Sequence, residues 1–144
     1  MNTNDSVALT GKLAISLNGK IVQEVDNLVV TVGKVWVAAR MQGVTKGVMS
    51  HMAVGTGTTA AAVGQTALVT ENGRVALTTS GGTLAANVIT FATTVPAGTA
   101  TGAITEAGIL NAASSGDMLA RTVFSVVNKG ALDTMTISWA VTIS

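Results

Sequence analysis

The sequence predicts an all-β fold, an antiparallel β-sandwich of jelly-roll-like form with one short helix near residues 31–42. Three observations carry that expectation. The C-terminal stretch DTMTISWAVTIS alternates throughout, with Met135, Ile137, Trp139, Val141 and Ile143 on one side and Thr134, Thr136, Ser138, Ala140 and Thr142 on the other. That is the period of a strand with one buried face. Further short alternating segments recur between Gly, Asn and Ser turn signals, as in a sandwich or barrel. Asn18-Gly19 stands between two of them, and Asn-Gly is the strongest short hairpin signal because both residues tolerate positive φ.

The elements follow in order. Residues 1–10, MNTNDSVALT, are polar and read as an arm preceding a single domain over 11–144. In residues 11–17, Leu13, Ile15 and Leu17 alternate with Lys12, Ala14 and Ser16, which makes a first strand. IVQEVDNLVV is its return strand, with a bulge or turn at Asp26-Asn27. Over residues 31–43 the pattern changes: Val32, Val35, Trp36 and Ala39 fall at helical spacing, Thr31 can cap the start and Gly43 can end it. HMAVGTG reads as a short strand entering a loop, followed by irregular chain. Two hairpins are expected next: residues 74–80 with 87–95 through GGTLAA, and 103–112 with 117–127 through ASSG. Pro96 marks a loop between them. The last strand, being so regular, is expected at the centre of a sheet. The expected core contains Trp36, Phe91, Phe124, Ile137, Trp139 and Val141.

A chain of 144 residues suits one domain and buries roughly 70% of the surface exposed when unfolded. It has no cysteine, so disulfides and thiol chemistry are excluded. Only 10% of its residues are charged and the formal net charge is +1, so the basic footprint of a nucleic-acid binder is missing. No apolar run reaches the ~18 residues of a membrane span, and the N-terminus does not read as a signal peptide. Such a weakly charged surface, rich in small residues, is expected to be covered by neighbours in an assembly.

The run Gly55-Thr56-Gly57-Thr58-Thr59 raises the question of a phosphate loop. A Walker loop needs Gly-Lys-Ser/Thr, and here Gly57 is followed by Thr58, Thr59 and Ala60. A dinucleotide fingerprint needs a βαβ unit; Glu71 lies near the required distance, but its surroundings read as hairpins. The run is therefore read as a turn. His51 is the only histidine, which leaves no zinc set, and no Gly-x-Ser-x-Gly elbow occurs. No calcium-loop spacing occurs either. Glu71, Arg74, Glu106 and Arg121 lie in otherwise apolar stretches. A half-buried charge needs a partner, so they are expected to form structural ion pairs across strands, with no catalytic, cofactor or metal role.

DNLVVTVGKVWVAARM, MSHMAVGTGTTAAAVGQTALVTENGRVAL and the stretch from AGTATGAITEAGIL to TISWAVTIS together resemble a family of small tailed-bacteriophage virion proteins, over roughly residues 24–144. The resemblance implies a non-enzymatic structural component without cofactors, assembled in the host cytoplasm. The role it favours is a capsid decoration or cement protein, contacting the major capsid protein and copies of itself as a homotrimer, with no nucleic-acid or membrane partner. A tail, neck or collar adaptor is the alternative. A host-glycan-binding module comes third; it is disfavoured because the only tryptophans are Trp36 and Trp139 and there is no tyrosine.

Overall fold

A computed structural model describes residues 6–144. Among them, ten strands and one helix form two antiparallel five-stranded sheets packed face to face. The chain is an all-β sandwich, as its alternation predicts. Residues 1–5 of the expected arm lie outside the described residues, and the strand after them begins at Leu9, inside the expected arm.

Strand β1 (Leu9–Leu17) turns through Asn18 and Gly19, both at positive φ (50° and 84°), into β2 (Lys20–Asp26). At Asn27 the chain leaves this sheet, and β3 (Leu28–Val29) joins the other one. The Asp26-Asn27 signal thus marks a crossing between layers. The Asn27 amide donates to the Gly11 carbonyl (3.1 Å), and the Asn27 side chain fills the space that a Cβ on Gly11 would need.

Helix α1 (Thr31–Gln42) ends at Gly43 in the left-handed region (φ 85°), as expected. Its start differs from the expectation. Val30 is the N-cap residue, and no side chain caps the helix. Thr31 is already helical, and its amide donates to the Val63 carbonyl (2.8 Å). A backbone oxygen from a distant loop thus satisfies one unpaired amide of the first turn, while Lys34 N–H, a donor that a Thr31 cap would take, bonds to the Val30 carbonyl (3.1 Å). Gly33 lets the helix lie directly on the Leu119 backbone, where any Cβ would collide.

The next strands are β4 (His51–Gly55), β5 (Glu71–Ala76), β6 (Thr83–Ala85) and β7 (Val88–Val95). Here one expected hairpin fails. β5 pairs with β4, and β7 pairs with β6, which is built from the expected connecting loop and turns through Ala86 (φ 52°). Residues 77 and 78 pass between layers: Leu77 N–H donates to the Ser50 carbonyl and Thr78 N–H to the Ala92 carbonyl (both 2.8 Å). Alternation in residues 74–80 marks a strand face but does not choose its neighbour.

The second expected hairpin forms from β8 (Gly102–Leu110) and β9 (Met118–Lys129), with register shifts near Glu106 and Leu110. Strand β10 (Met135–Ile143) is central in the order β2-β1-β10-β7-β6; the other sheet runs β3-β9-β8-β4-β5. The core lies between the layers. Phe91, Phe124, Ile137, Trp139 and Val141 are buried there as expected. Trp36 corrects the list: it is only half-buried against the core, and its indole N–H donates to the Gly47 carbonyl (2.9 Å). The Trp139 indole N–H is buried with no acceptor, so that side chain is held by apolar packing alone.

Candidate functional site

The Gly-Thr-Gly-Thr-Thr run opens a long excursion over residues 56–70, between β4 and β5. It does enclose an anion, and the anion is the protein's own Glu106. This side chain projects from β8 with no solvent exposure. Its Oε1 accepts from the amides of Gly57 (3.0 Å) and Thr70 (2.7 Å). Oε2 accepts from the amide of Val69 (3.0 Å) and from Arg121 Nε (2.9 Å) and Nη2 (2.7 Å). A Cβ on Gly55 or Gly57 would press into the carboxylate, so glycine is required by close approach and not by turn geometry.

Arg121, on β9 and equally buried, extends the network. Its Nη1 donates to Gln65 Oε1 (2.9 Å), which also accepts from the Ala62 amide (3.0 Å). Thr105 Oγ1 donates to the Gly57 carbonyl (2.8 Å). The excursion is thereby tied at both ends and in its middle to one cross-strand pair. Burial acts to raise the Glu106 pKa, but the amides of Thr70 and Val69, the Arg121 guanidinium and the Gly57 amide together hold it below its ordinary value. The carboxylate is therefore ionised and fully engaged, with no free face for a phosphate.

Glu71 and Arg74 also pair, but not across strands. Both lie on β5, joined by Arg74 Nη2 to Glu71 Oε1 (2.7 Å) and Nε to Oε2 (3.1 Å). Arg74 Nη1 additionally donates to the carbonyls of Ala112 and Ser115 (2.9 Å each), clasping the β8–β9 turn. In a regular strand, positions three apart face opposite sides; here Asn72 is the extra residue of a bulge against β4, since Val54 pairs with Gly73 and Gly55 with Glu71, and this brings Glu71 and Arg74 to one face.

Two polar features gave no signal in the sequence. Asn18 Nδ2 donates to Asp133 Oδ1 (2.8 Å) while Asn18 Oδ1 accepts from the Thr134 amide (3.0 Å), locking the β1–β2 turn to the β9–β10 turn. The Asn18 contact, the Gly130 amide and the charge of Lys129 lower the Asp133 pKa. Lys129 itself is buried, and its Nζ donates to the Pro96 carbonyl (2.9 Å).

At the opposite end of β10 the layers part, leaving an apolar groove of about 430 Å³ between helix α1 and the sheets. Trp36, Met41, Val48, Phe91, Val141 and Ile143 line it, with Arg40 at its edge. Leu84 extends this apolar surface, because it pairs with the groove residue Ile89. Met41 is 85% exposed and Leu84 70%. Such a surface can bury apolar groups but offers nothing to activate a nucleophile. His51 Nδ1 shares a hydrogen bond with the neighbouring Ser50 Oγ (2.8 Å). Among the described residues no group of three or more His, Asp or Glu side chains could hold a metal ion. No family model, curated protein or solved structure matches this chain.

Proposed function

We propose that this chain is a non-enzymatic structural protein of a tailed-bacteriophage virion, a decoration or cement protein that stabilises the head through protein–protein contacts. The observation that carries the reading is the apolar groove at the α1 end, with Met41, Val48, Leu84 and Ile143 left exposed around it. A contiguous apolar surface rimmed by polar residues is the signature of a contact site, and burying it against a shell releases roughly 25 cal/mol for each Å² removed from water. The rest of the molecule suits that role. Its longest excursion is held by internal charge-assisted bonds, so it meets a partner already ordered and loses little entropy on docking.

The glycan-binding alternative is weakened by the tryptophans. Trp139 is fully buried and Trp36 half-buried, so neither is a free stacking platform. Densitometry of purified particles of the encoding phage tests the proposal. Hundreds of copies per head are expected; a handful of copies moves the protein to the tail or neck, and absence from particles defeats the virion reading altogether.

A further inference from the structure

Between Asp26 and Glu71 the sequence holds no acidic residue, yet it holds Lys34, Arg40 and Lys46. That stretch supplies helix α1 and the chain after it, the helical wall of the apolar groove. Lys46 is answered internally, by Asp117 (2.8 Å). Lys34 and Arg40 are not: among the described residues, no carboxylate lies within ion-pair distance of either. Arg40 is the one charged residue lining the groove. Its Nη1 donates to the Lys46 carbonyl (2.9 Å), which holds the guanidinium at the rim without neutralising it. Lys34 precedes Val37 and Met41 by three and seven positions, so it shares their side of the helix, and both of those residues line the groove.

We propose that the groove receives an acidic, apolar segment of a partner protein, with an apolar side chain entering between α1 and the sheets while flanking carboxylates meet Arg40 and Lys34. This names the partner's chemistry at the contact site proposed above and rests on the groove being that site. The division of labour follows from the lining. The apolar anchor supplies affinity in proportion to the area it removes from water, and exposed rim charges set specificity and association rate more than affinity. A second copy of this chain is the wrong occupant. In a two-fold interface made from this face, Lys34 and Arg40 meet the same cations of the other copy, and juxtaposed like charges oppose binding. A purely anionic polymer answers the cations but leaves the apolar surface wet, including Met41, which is 85% exposed.

Selection of a random-sequence peptide library on beads against the full chain tests it, with circular dichroism confirming that each variant is folded. The wild type is expected to enrich peptides in which Leu, Ile, Met or Phe is flanked by Asp or Glu. Lys34→Glu/Arg40→Glu should enrich Lys or Arg at the same flanks, because both side chains are exposed and their reversal changes the charge of the rim without touching the core. Met41→Glu should weaken the best wild-type peptide by roughly tenfold or more in fluorescence anisotropy, since it sets a carboxylate where the apolar anchor docks. No enrichment, enrichment of neutral or basic peptides by the wild type, acidic peptides without an apolar residue, or an unchanged preference in the charge-reversed variant each overturns the proposal. Particle densitometry keeps the two readings apart: a successful selection stands even if the protein is absent from particles, and a failed one removes this inference even if hundreds of copies are present.

Discussion

Replacing Glu106 with glutamine removes one charge and almost no volume, so its consequences isolate the carboxylate. The side chain has no solvent exposure and accepts from Gly57, Val69, Thr70 and twice from Arg121. An amide offers one oxygen, and its nitrogen must face donors in either orientation. Arg121, also without solvent exposure, is left a buried cation without its counter-charge. Breaking such a pair from one side costs about 3–5 kcal/mol, a large share of the roughly 5–15 kcal/mol that holds a domain together. At about 2–4 °C per kcal/mol for a chain of this size, the melting temperature should fall by roughly 10 °C. Circular dichroism melts measure this directly. Hydrogen exchange should show the amides of Gly57, Val69 and Thr70 losing protection before the β1–β10 ladder does. Glu106→Gln/Arg121→Met should recover much of the loss, because removing both partners leaves no orphaned charge. A Glu106→Gln variant melting within about 1 °C of wild type would refute the role assigned to the carboxylate.

The remaining predictions concern other parts of the molecule. Glu106 and Asp133 have pKa values lowered from 4.5 and 3.8. Their stabilising contributions are therefore present above those values and lost as pH falls through the lowered ones; an acid titration followed by Trp fluorescence should keep wild type folded through pH 4.5, with a shallower dependence below it in Glu106→Gln. Asn18→Asp sets a second carboxylate at the position now 2.8 Å from Asp133, so melts should show destabilisation at neutral pH that lessens in acid as the two share a proton. Trp139→Phe removes ring volume but no hydrogen bond, so urea unfolding should show a loss of about 1–2 kcal/mol, short of the roughly 3–5 kcal/mol of Trp→Ala. Gly33→Ala should destabilise by about 1–3 kcal/mol despite its better helix propensity, because the new Cβ meets the Leu119 backbone.

Much of the fold is legible in the chain because a strand's buried face repeats every second residue, and that repeat is local. The β10 pattern is readable for this reason, and so are the Asn18-Gly19 turn and the Gly43 helix end, where backbone conformation alone selects the residue. Partner choice is not local. Residues 74–80 carry a strand-like pattern, yet only 74–76 lie in a strand, which pairs with β4, while GGTLAA, which reads as loop, supplies β6. The candidate site divides in the same way. Lone charges in apolar surroundings signalled that Glu106 and Arg121 would need partners, whereas the side-chain partners of Gln65, Asn18 and Lys129 gave no signal, because polar side chains beside turns usually face water.

What the sequence determined by itself is the class of the molecule: strands enough for a sandwich, one short helix, few charges and no cysteine. The tertiary structure decided what the charges meet. Only folding brings the amides of residues 57, 69 and 70 around a carboxylate at position 106, turning an apparent phosphate loop into the cradle of an internal anion. The physical reason is range: periodicity and turn chemistry act over a few residues, while hydrogen bonds to a buried charge join segments tens of residues apart, where only packing of the two sheets sets the distance.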